Sequence, residues 1–431
     1  MASMLQTVRN AWKIPDLRRK IMITIGLLLV FRLGSFIPVP GLDKQAFEQL
    51  ASQSGSIFGF FDIITGGAFA LATIFAMSIT PYINSSIIMN LLTIAIPALE
   101  RLQKEGEEGR KKIAQMTRYG TVILAFVQAS ALYFGLIAPA VKGGSTVLSY
   151  FIVTMSFTAG TAFLMWLGEQ ITEYGVGNGI SLIIFAGIIS RAPSGIMSVI
   201  NLFISGGLGE GILGFLMLLF VIAVFLGIIA AVVFVQQAER RIPVQYAKRV
   251  VGRKMYGGHN THLPIKVNLA GVIPIIFAMS LMIFPQTIIG FFFPNAEGKM
   301  IEFILNFNST VWYALLYALL VIFFTFFYTM VYFNPVEVAN NLKKNGGFIP
   351  GIRPGKPTSD YIASVLNKIT WFGALFLATV TVFPSILQLF TNIQNVWFGG
   401  TAVLILVGVA LDSVKQIESQ MLMRHYKGFL E

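Results

Sequence analysis

Ten stretches of apolar residues, each about twenty residues long, recur along this chain of 431 residues. A helix of that length is what crossing a hydrocarbon core of roughly 30 Å requires. Only 12% of the residues are charged, whereas a soluble domain usually carries about a quarter. The pattern excludes a soluble fold and predicts an all-α polytopic membrane protein. Its transmembrane helices are expected near residues 21–38, 73–98, 118–138, 147–168, 180–200, 211–236, 268–292, 309–333, 368–389 and 396–412.

Basic residues are distributed unequally between the loops. If ten helices place both termini on one side, that side holds all but five of the 31 Lys and Arg residues. The five exceptions are Arg32, Lys44, Lys142, Arg191 and Lys299. By the positive-inside rule, both termini are therefore expected to be cytoplasmic. The same distribution accounts for the net charge of +12 without nucleic acid binding. One loop on this side, 168–178, departs from the pattern with Glu169 and Glu173 and no basic residue.

The predicted helices divide into two sets of equal number. Five precede the loop near 201–210 and five follow it, so an N-terminal half at 1–200 and a C-terminal half at 201–431 would have opposite topology. Folds built on inverted repeats have this organisation. No residue-level repeat between the halves is evident, so the inference rests on topology.

The segment at 55–70 is apolar but too short to cross a bilayer, and glycines flank it. One interpretation is a re-entrant segment, which must be buried in protein or line a cavity, because irregular backbone at membrane depth needs hydrogen-bond partners. The other is an external amphipathic helix lying on the membrane surface. Periodicity alone does not distinguish the two.

The predicted spans are almost free of ionisable side chains, with Arg32 and Asp412 as marginal exceptions near helix ends. Ion-coupled transporters usually place such groups near the midplane, so a secondary transporter for a small solute is disfavoured. An intramembrane enzyme would need a catalytic Ser, His or Asp constellation within the spans, and none is found. The chain has no cysteine and three scattered histidines, so no cofactor or metal is predicted.

Isoleucines are prominent in the spans instead. Ile79 and Ile83 are four residues apart, as are Ile180 and Ile184, so each pair shares a helix face. The ordinary interpretation of isoleucine in a membrane helix is lipid contact or packing.

Two loops on the basic side, 237–267 and 334–367, are unusually long. The first contains two β-prone runs around Gly257 and Gly258, which indicate a protruding hairpin. The second begins with Asn334 and Pro335, a helix cap followed by proline at the first helical position. Basic loops are commonly topogenic signals or lipid contacts. Their length favours docking sites, since a topogenic signal does not need thirty residues.

Five motifs resemble the SecY family, the channel-forming subunits of the bacterial preprotein translocase. They occur in the family's order, each on the expected span or side, and the resemblance covers the whole chain. They lie at residues 30–41, 81–88, 175–181, 261–268 and 351–355.

The resemblance implies a fold of two inverted five-helix halves around an hourglass pore. In the family, six apolar side chains narrow the pore at mid-membrane, and a short re-entrant plug closes its outer funnel. The pore-ring positions fall on Ile79, Ile83, Ile180, Ile184, Ile276 and Ile405. The plug falls at about 57–70, including Ile57, Phe58, Phe60, Phe61, Asp62, Ile63 and Ile64.

The resemblance also implies a lateral gate, where the second and third helices face the seventh and eighth and membrane segments exit into lipid. Its candidates are Ile87, Asn90, Leu91, Ile275, Met279 and Phe284. A hydrogen bond from Asn90 across this seam would favour the closed state, and a polar contact within one half is the alternative.

The long basic loops correspond to the family's docking platform for the ATPase SecA or the ribosome, whose RNA phosphates suit cationic residues. The docking candidates are Arg240, Arg241, Lys248, Arg253, Lys254 and Arg353. The chain has no Walker A motif, so its partner must supply the energy. The family further implies the small membrane subunits SecE and SecG, secretory preproteins with signal peptides, contact with membrane lipids, and a location in the bacterial inner membrane.

Overall fold

The computed structural model describes residues 9–43, 47, 65–141, 144, 146–206, 211–246, 249–251, 254–256, 260–292, 310–391 and 400–427. Within them the chain is mainly helical. The helices are α1 Pro15–Gly34, α2 Thr80–Ala95, α3 Pro97–Lys104, α4 Glu107–Leu132, α5 Val147–Tyr174, α6 Gly179–Ser190, α7 Ala192–Ile204, α8 Gly211–Gln237, α9 Ile273–Phe292, α10 Val311–Tyr332, α11 Pro335–Lys344, α12 Lys356–Thr391 and α13 Gly400–Lys427. The strands are β1 Glu239–Tyr246, β2 Arg249–Val251, β3 Lys254–Tyr256, β4 Asn260–Lys266 and β5 Gly347–Phe348.

Each of the ten predicted spans overlaps a helix in this part of the chain, and the span near 180–200 overlaps two, α6 and α7. By length and composition, six helical segments in the described residues can cross a membrane, and the bent pair α2 and α3 makes up to seven. α1 is not among them because its N-terminal turns carry Arg18, Arg19 and Lys20. The six segments are Val147–Tyr174, Gly179–Ile204, Gly214–Gln237, Val311–Lys344, Lys356–Phe383 and Gly400–Met423. The chain is thus a multi-pass membrane protein.

The second predicted helix, near 73–98, begins later than its hydropathy indicates. Residues 65–79 form successive turns, and α2 starts only at Thr80. Ala72 and Ser78 have positive φ angles of 48° and 51°, which a helix does not allow. Backbone hydrogen bonds to the chain after α1 stabilise these turns, with Val39 N donating to Ala72 O at 3.0 Å and Ile74 N donating to Ile37 O at 3.0 Å. The irregular backbone is therefore satisfied within the protein, as an apolar environment demands.

The C-terminal end of α2 bends sharply into α3. The two helices meet at 101°, because Ile96 precedes Pro97 and adopts an extended conformation with φ −108° and ψ 112°. α3 carries the exposed ion pair Lys104–Glu100, with Nζ and Oε1 2.5 Å apart. The bend leads the chain from an apolar helix to a charged surface.

The largest clusters of buried side chains include one within each half and one that both halves share. One cluster lies within the N-terminal half and includes Phe47, Tyr133 and Phe157. Another lies within the C-terminal half and includes Val232, Leu377 and Leu404. A third cluster combines residues from both halves, so the two parts of the chain meet through apolar contact.

The two long loops form one small domain. β1 pairs antiparallel with β4 and, on its other side, with β5, so that a strand from the second loop joins the hairpin of the first. Its buried core contains Ile242, Val244, Ile265, Leu342, Ile349, Ile362 and Leu366. The predicted cap of α11 is confirmed, since Asn334 Oδ1 accepts hydrogen bonds from Val336 N at 3.1 Å and Glu337 N at 3.4 Å. α12 begins at Lys356, inside the predicted loop.

Candidate functional site

All six predicted ring isoleucines lie in the apolar cluster shared by the two halves. Ile79, Ile184 and Ile405 are almost inaccessible, with exposures of 1%, 6% and 3%. The other three, Ile83, Ile180 and Ile276, are partly buried and pack against them. Residues that are far apart in sequence therefore converge on one site.

Four helices hold these side chains. Ile79 caps α2 and Ile83 lies one turn further on, while α6 carries Ile180 and Ile184 on one face. α9 contributes Ile276, and α13 contributes Ile405. The surrounding side chains of the cluster are Phe31, Ala68, Phe75, Leu164, Leu167, Ile171, Leu182, Ile183, Ile188, Ala402 and Val409.

The six isoleucines pack among aliphatic and aromatic side chains. Branched aliphatic side chains offer water and ions no hydrogen-bond or charge partner, so a constriction of this composition can close by dewetting. It has no hydrogen-bond geometry to satisfy and can repack around differently shaped chains. The site suits an adaptable seal and not a catalytic centre.

The predicted plug lies partly outside the described residues, including Ile57, Phe58, Phe60, Phe61, Asp62, Ile63 and Ile64. Its C-terminal end, 65–70, is described and is mostly buried in protein. Ala68 belongs to the same cluster as the isoleucines. The Gly66 carbonyl accepts hydrogen bonds from Arg32 Nη1 at 3.0 Å and Ser190 Oγ at 3.3 Å. This end of the segment is thus attached to α1 and α6.

Of the predicted gate residues, Ile87 lies where α2 meets the C-terminal half. It packs against a cluster formed by Ala270, Phe277 and Tyr328. The rings of Phe277 and Tyr328 meet edge to face with centroids 4.8 Å apart. Asn90 lies one turn further along α2, with its side chain close to that of Tyr328. A contact between the halves therefore exists at this seam.

The other predicted gate residues are placed differently. Ile275 and Met279 are buried in the core of the C-terminal half, Leu91 is exposed on α2, and Phe284 lies on α9 with its side chain outside the described part. Sequence reasoning did not select Phe277 or Tyr328. Apolar residues occupy nearly every position of α9, so the sequence carries no signal for which of them face α2.

Those predicted docking residues that the structure describes lie on the small domain. Arg240 and Arg241 are exposed on β1, and Arg353 is exposed on the turn before α12. Arg241 Nη2 pairs with Glu239 Oε1 at 2.7 Å, and the Arg353 carbonyl accepts a hydrogen bond from Thr358 Oγ1 at 2.8 Å. Lys254 begins β3, whereas Lys248 and Arg253 lie outside the described residues. The β1–β5 pairing joins the loops that carry Arg240 and Arg353 into one domain.

Comparison with known proteins identifies relatives along the whole chain. A family model described as SecY matches residues 73–414. The protein translocase subunit SecY of Halalkalibacterium halodurans is 48% identical over 435 residues, covering 99% of this chain and 100% of that protein.

Solved structures share the fold. One described as the structure of a protein conducting channel superposes with a TM-score of 0.66 at 19% identity, covering 94% of this chain and 92% of that one. Sec61 in the canine ribosome–channel complex from the endoplasmic reticulum superposes with a TM-score of 0.61 at 17% identity, again covering 94% and 92%.

Replacing Ile405 with Asn is expected to raise the resting ion conductance of the reconstituted protein several-fold, because a polar amide at the constriction provides water with a hydrogen-bond partner. Conductance across planar bilayers, measured before any substrate is added, tests this. Ile405→Leu keeps the site apolar and is the control, expected to conduct as little as the parent chain. Equal conductance of the Asn variant and the Leu variant would contradict a sealing role.

Proposed function

The chain belongs to the SecY family, and from this premise we propose that it is the channel subunit of a protein translocase, which passes unfolded polypeptides across the membrane and releases apolar segments laterally into lipid. The observation that carries the proposal is the shared cluster. Six isoleucines from four separate parts of the chain converge there in one apolar cluster. It is not an enzyme, and its function is to provide a regulated path.

At rest, the ring of Ile79, Ile83, Ile180, Ile184, Ile276 and Ile405 closes the path to ions. A threaded polypeptide displaces these side chains, which repack around it because their contacts are non-directional. The seal then depends on apolar contact with whatever segment is in transit. This is why the ring serves substrates of many sequences.

The plug is proposed to add a second closure on the outer side of the ring. Support comes from its described end, where Ala68 packs into the isoleucine cluster and the Gly66 carbonyl is held by Arg32 and Ser190. A segment attached in this way can pivot while its base stays fixed. The surface-helix alternative does not explain why this end is buried.

Energy for transport is proposed to come from a partner that docks on the small domain. Arg240, Arg241 and Arg353 are exposed there, and the chain has no nucleotide-binding motif. Cationic side chains suit ribosomal RNA phosphates and also an acidic protein face. The structural likeness to Sec61 in a ribosome–channel complex supports the ribosome as one partner. SecA is proposed as the other, with Lys248, Arg253 and Lys254 completing the surface.

The lateral gate is proposed to lie between α2 and the pair α9 and α10. Ile87 and Asn90 contact Phe277 and Tyr328 at this seam. Phe277 and Tyr328 are therefore added to the gate candidates predicted from the sequence, which also include Leu91, Ile275, Met279 and Phe284. Separation of α2 from α9 and α10 would open a path from the ring to lipid. SecE and SecG are proposed to pack against the outside of the helices and hold the two halves, 1–200 and 201–431, together.

Orientation follows from charge. The basic loops at 237–267 and 334–367 are proposed to face the cytoplasm with both termini, in a bacterial inner membrane. The small domain then projects towards SecA and the ribosome. Secretory preproteins and signal peptides enter from that side.

Arg353→Glu is expected to reduce SecA-driven translocation at least about tenfold, because reversing one charge in a docking contact costs about 1.4 kcal/mol or more. The measurement is protease protection of a preprotein in proteoliposomes. Arg110→Glu makes the same charge change on an exposed part of α4 and should leave transport unchanged. Normal transport by the Arg353 variant would contradict the docking role. Failure of the parent chain to protect any preprotein would overturn the proposed function itself.

We infer a hydrogen bond between Asn90 and Tyr328 across this seam. Tyr328→Phe is therefore expected to ease gate opening about threefold, since interhelical hydrogen bonds in membranes contribute about 0.6 kcal/mol. Transport of a preprotein with a shortened apolar signal segment measures this. Asn90→Leu should have the same effect, and the double variant should exceed neither single variant because one bond is lost in all three. Tyr332→Phe, an exposed tyrosine one turn away on α10, is the control. Additive effects would show that Asn90 and Tyr328 act separately.

A further inference from the structure

A short turn at residues 175–179 connects α5 to α6 and determines where α6 begins. Gly175 N donates to Ile171 O at 2.8 Å at the end of α5. Gly179 N donates to Thr172 Oγ1 at 2.9 Å. Since Ile180 directly follows this turn, any displacement of the turn displaces a ring residue.

Thr24 of α1 holds the turn from one side. Its hydroxyl donates to Lys20 O at 2.9 Å and accepts a hydrogen bond from Val176 N at 3.0 Å. Thr24 is only 8% exposed, so water does not replace this contact. A Cβ atom on Gly175 would lie 2.4 Å from Thr24 Oγ1, which explains why α1 can approach the turn so closely.

The last helix, α13, holds the turn from the other side. Val176 is buried in a small cluster with Ile417 of α13 and with Leu17 and Ala11 near the N-terminus. Gly177 has a φ of 89°, and a Cβ atom there would lie 3.3 Å from Ser413 Oγ. The turn is thus enclosed between the cytoplasmic ends of the first and last helices.

These contacts connect two helices of the ring. α6 carries Ile180 and Ile184, and α13 carries Ile405 eight residues before Ser413, a distance of about 12 Å along the helix. α6 and α13 also contact each other directly. Half of the ring therefore depends on two helices that meet at the turn.

We propose that Thr24 is a positioning residue for the ring: its hydroxyl holds the 175–179 turn against α13 and so sets the position of Ile180 and Ile184. The proposal rests on the proposed function, because it assumes that the isoleucine cluster is the seal. It adds that the seal responds to the cytoplasmic ends of α1 and α13, remote from the ring itself.

The test uses the full chain in reconstituted translocase. Thr24→Val is nearly isosteric but removes the acceptor for Val176 N, whereas Thr24→Ser keeps it. Each is combined with a single cysteine at position 180, since the chain has no native cysteine. The readouts are resting ion conductance and the rate at which a small thiol reagent labels that cysteine. The Val variant should raise both several-fold, and the Ser variant should match the parent.

Thr158→Val is the matched control. Thr158 is as buried as Thr24, but among the described residues its hydroxyl bonds within α5, to Thr154 O at 2.8 Å. If it raises conductance and labelling as much as Thr24→Val does, the effect reflects general destabilisation and the proposal is wrong. Unchanged labelling in Thr24→Val also overturns it.

Ile417→Ala examines the same turn from α13 and covers the case in which Thr24→Val does not fold. It should increase labelling at position 180. Unchanged labelling would overturn the proposal that the 175–179 turn, held against α13, sets the position of α6. Labelling reports the position of α6 whether or not a preprotein is transported. Loss of transport by the parent chain would therefore contradict the proposed function without deciding the proposal about Thr24.

Discussion

Apolar contact between the two halves, made by six isoleucines and their neighbours, is the interaction on which the rest of the structure depends. It is non-directional, and each aliphatic contact is weak. A channel needs this combination, because the same surfaces must exclude ions when they meet one another and yield when a polypeptide separates them. Buried charge at this point would bind water or ions and hold them.

Directional bonds hold the elements around this cluster. Side-chain donors and acceptors bind backbone groups at the irregular segments: Arg32 and Ser190 at Gly66, and Thr24 at Val176. Apolar surroundings leave such backbone groups no water to bind, so each bond constrains where its segment lies. The rigid parts of the site are therefore the turns beside the helices that carry the isoleucines, and the adaptable part is the isoleucine cluster.

Sequence reasoning anticipated what depends on local pattern. Hydropathy located ten helices, and spacing of four residues placed Ile79 with Ile83 and Ile180 with Ile184. Capping chemistry predicted Asn334 at the start of α11. Ile276 and Ile405 were identified only through the family resemblance, because nothing local distinguishes them from lipid-facing isoleucines. Their role in the ring remains a prediction, and the structure adds that they lie in the same cluster.

Contacts between distant elements were not predictable. The late start of α2 accompanies positive φ angles at Ala72 and Ser78 and the pairing of residues 37–39 with 72–74. The bond between Thr24 and Val176 joins residues 152 positions apart. Phe277 and Tyr328 lie on helices that are apolar nearly throughout. In each case tertiary geometry selects among residues that hydropathy treats alike.

Crosslinking of a stalled secretory polypeptide to single cysteines tests the central claim most directly. Cysteines are introduced one at a time at positions 79, 83, 180, 184, 276 and 405, and at Ile222 on the exposed face of α8 as a reference. The account predicts crosslinks from one short stretch of the stalled chain to all six ring positions and none to position 222. Crosslinks that miss the six positions, or that form equally at position 222, would contradict it.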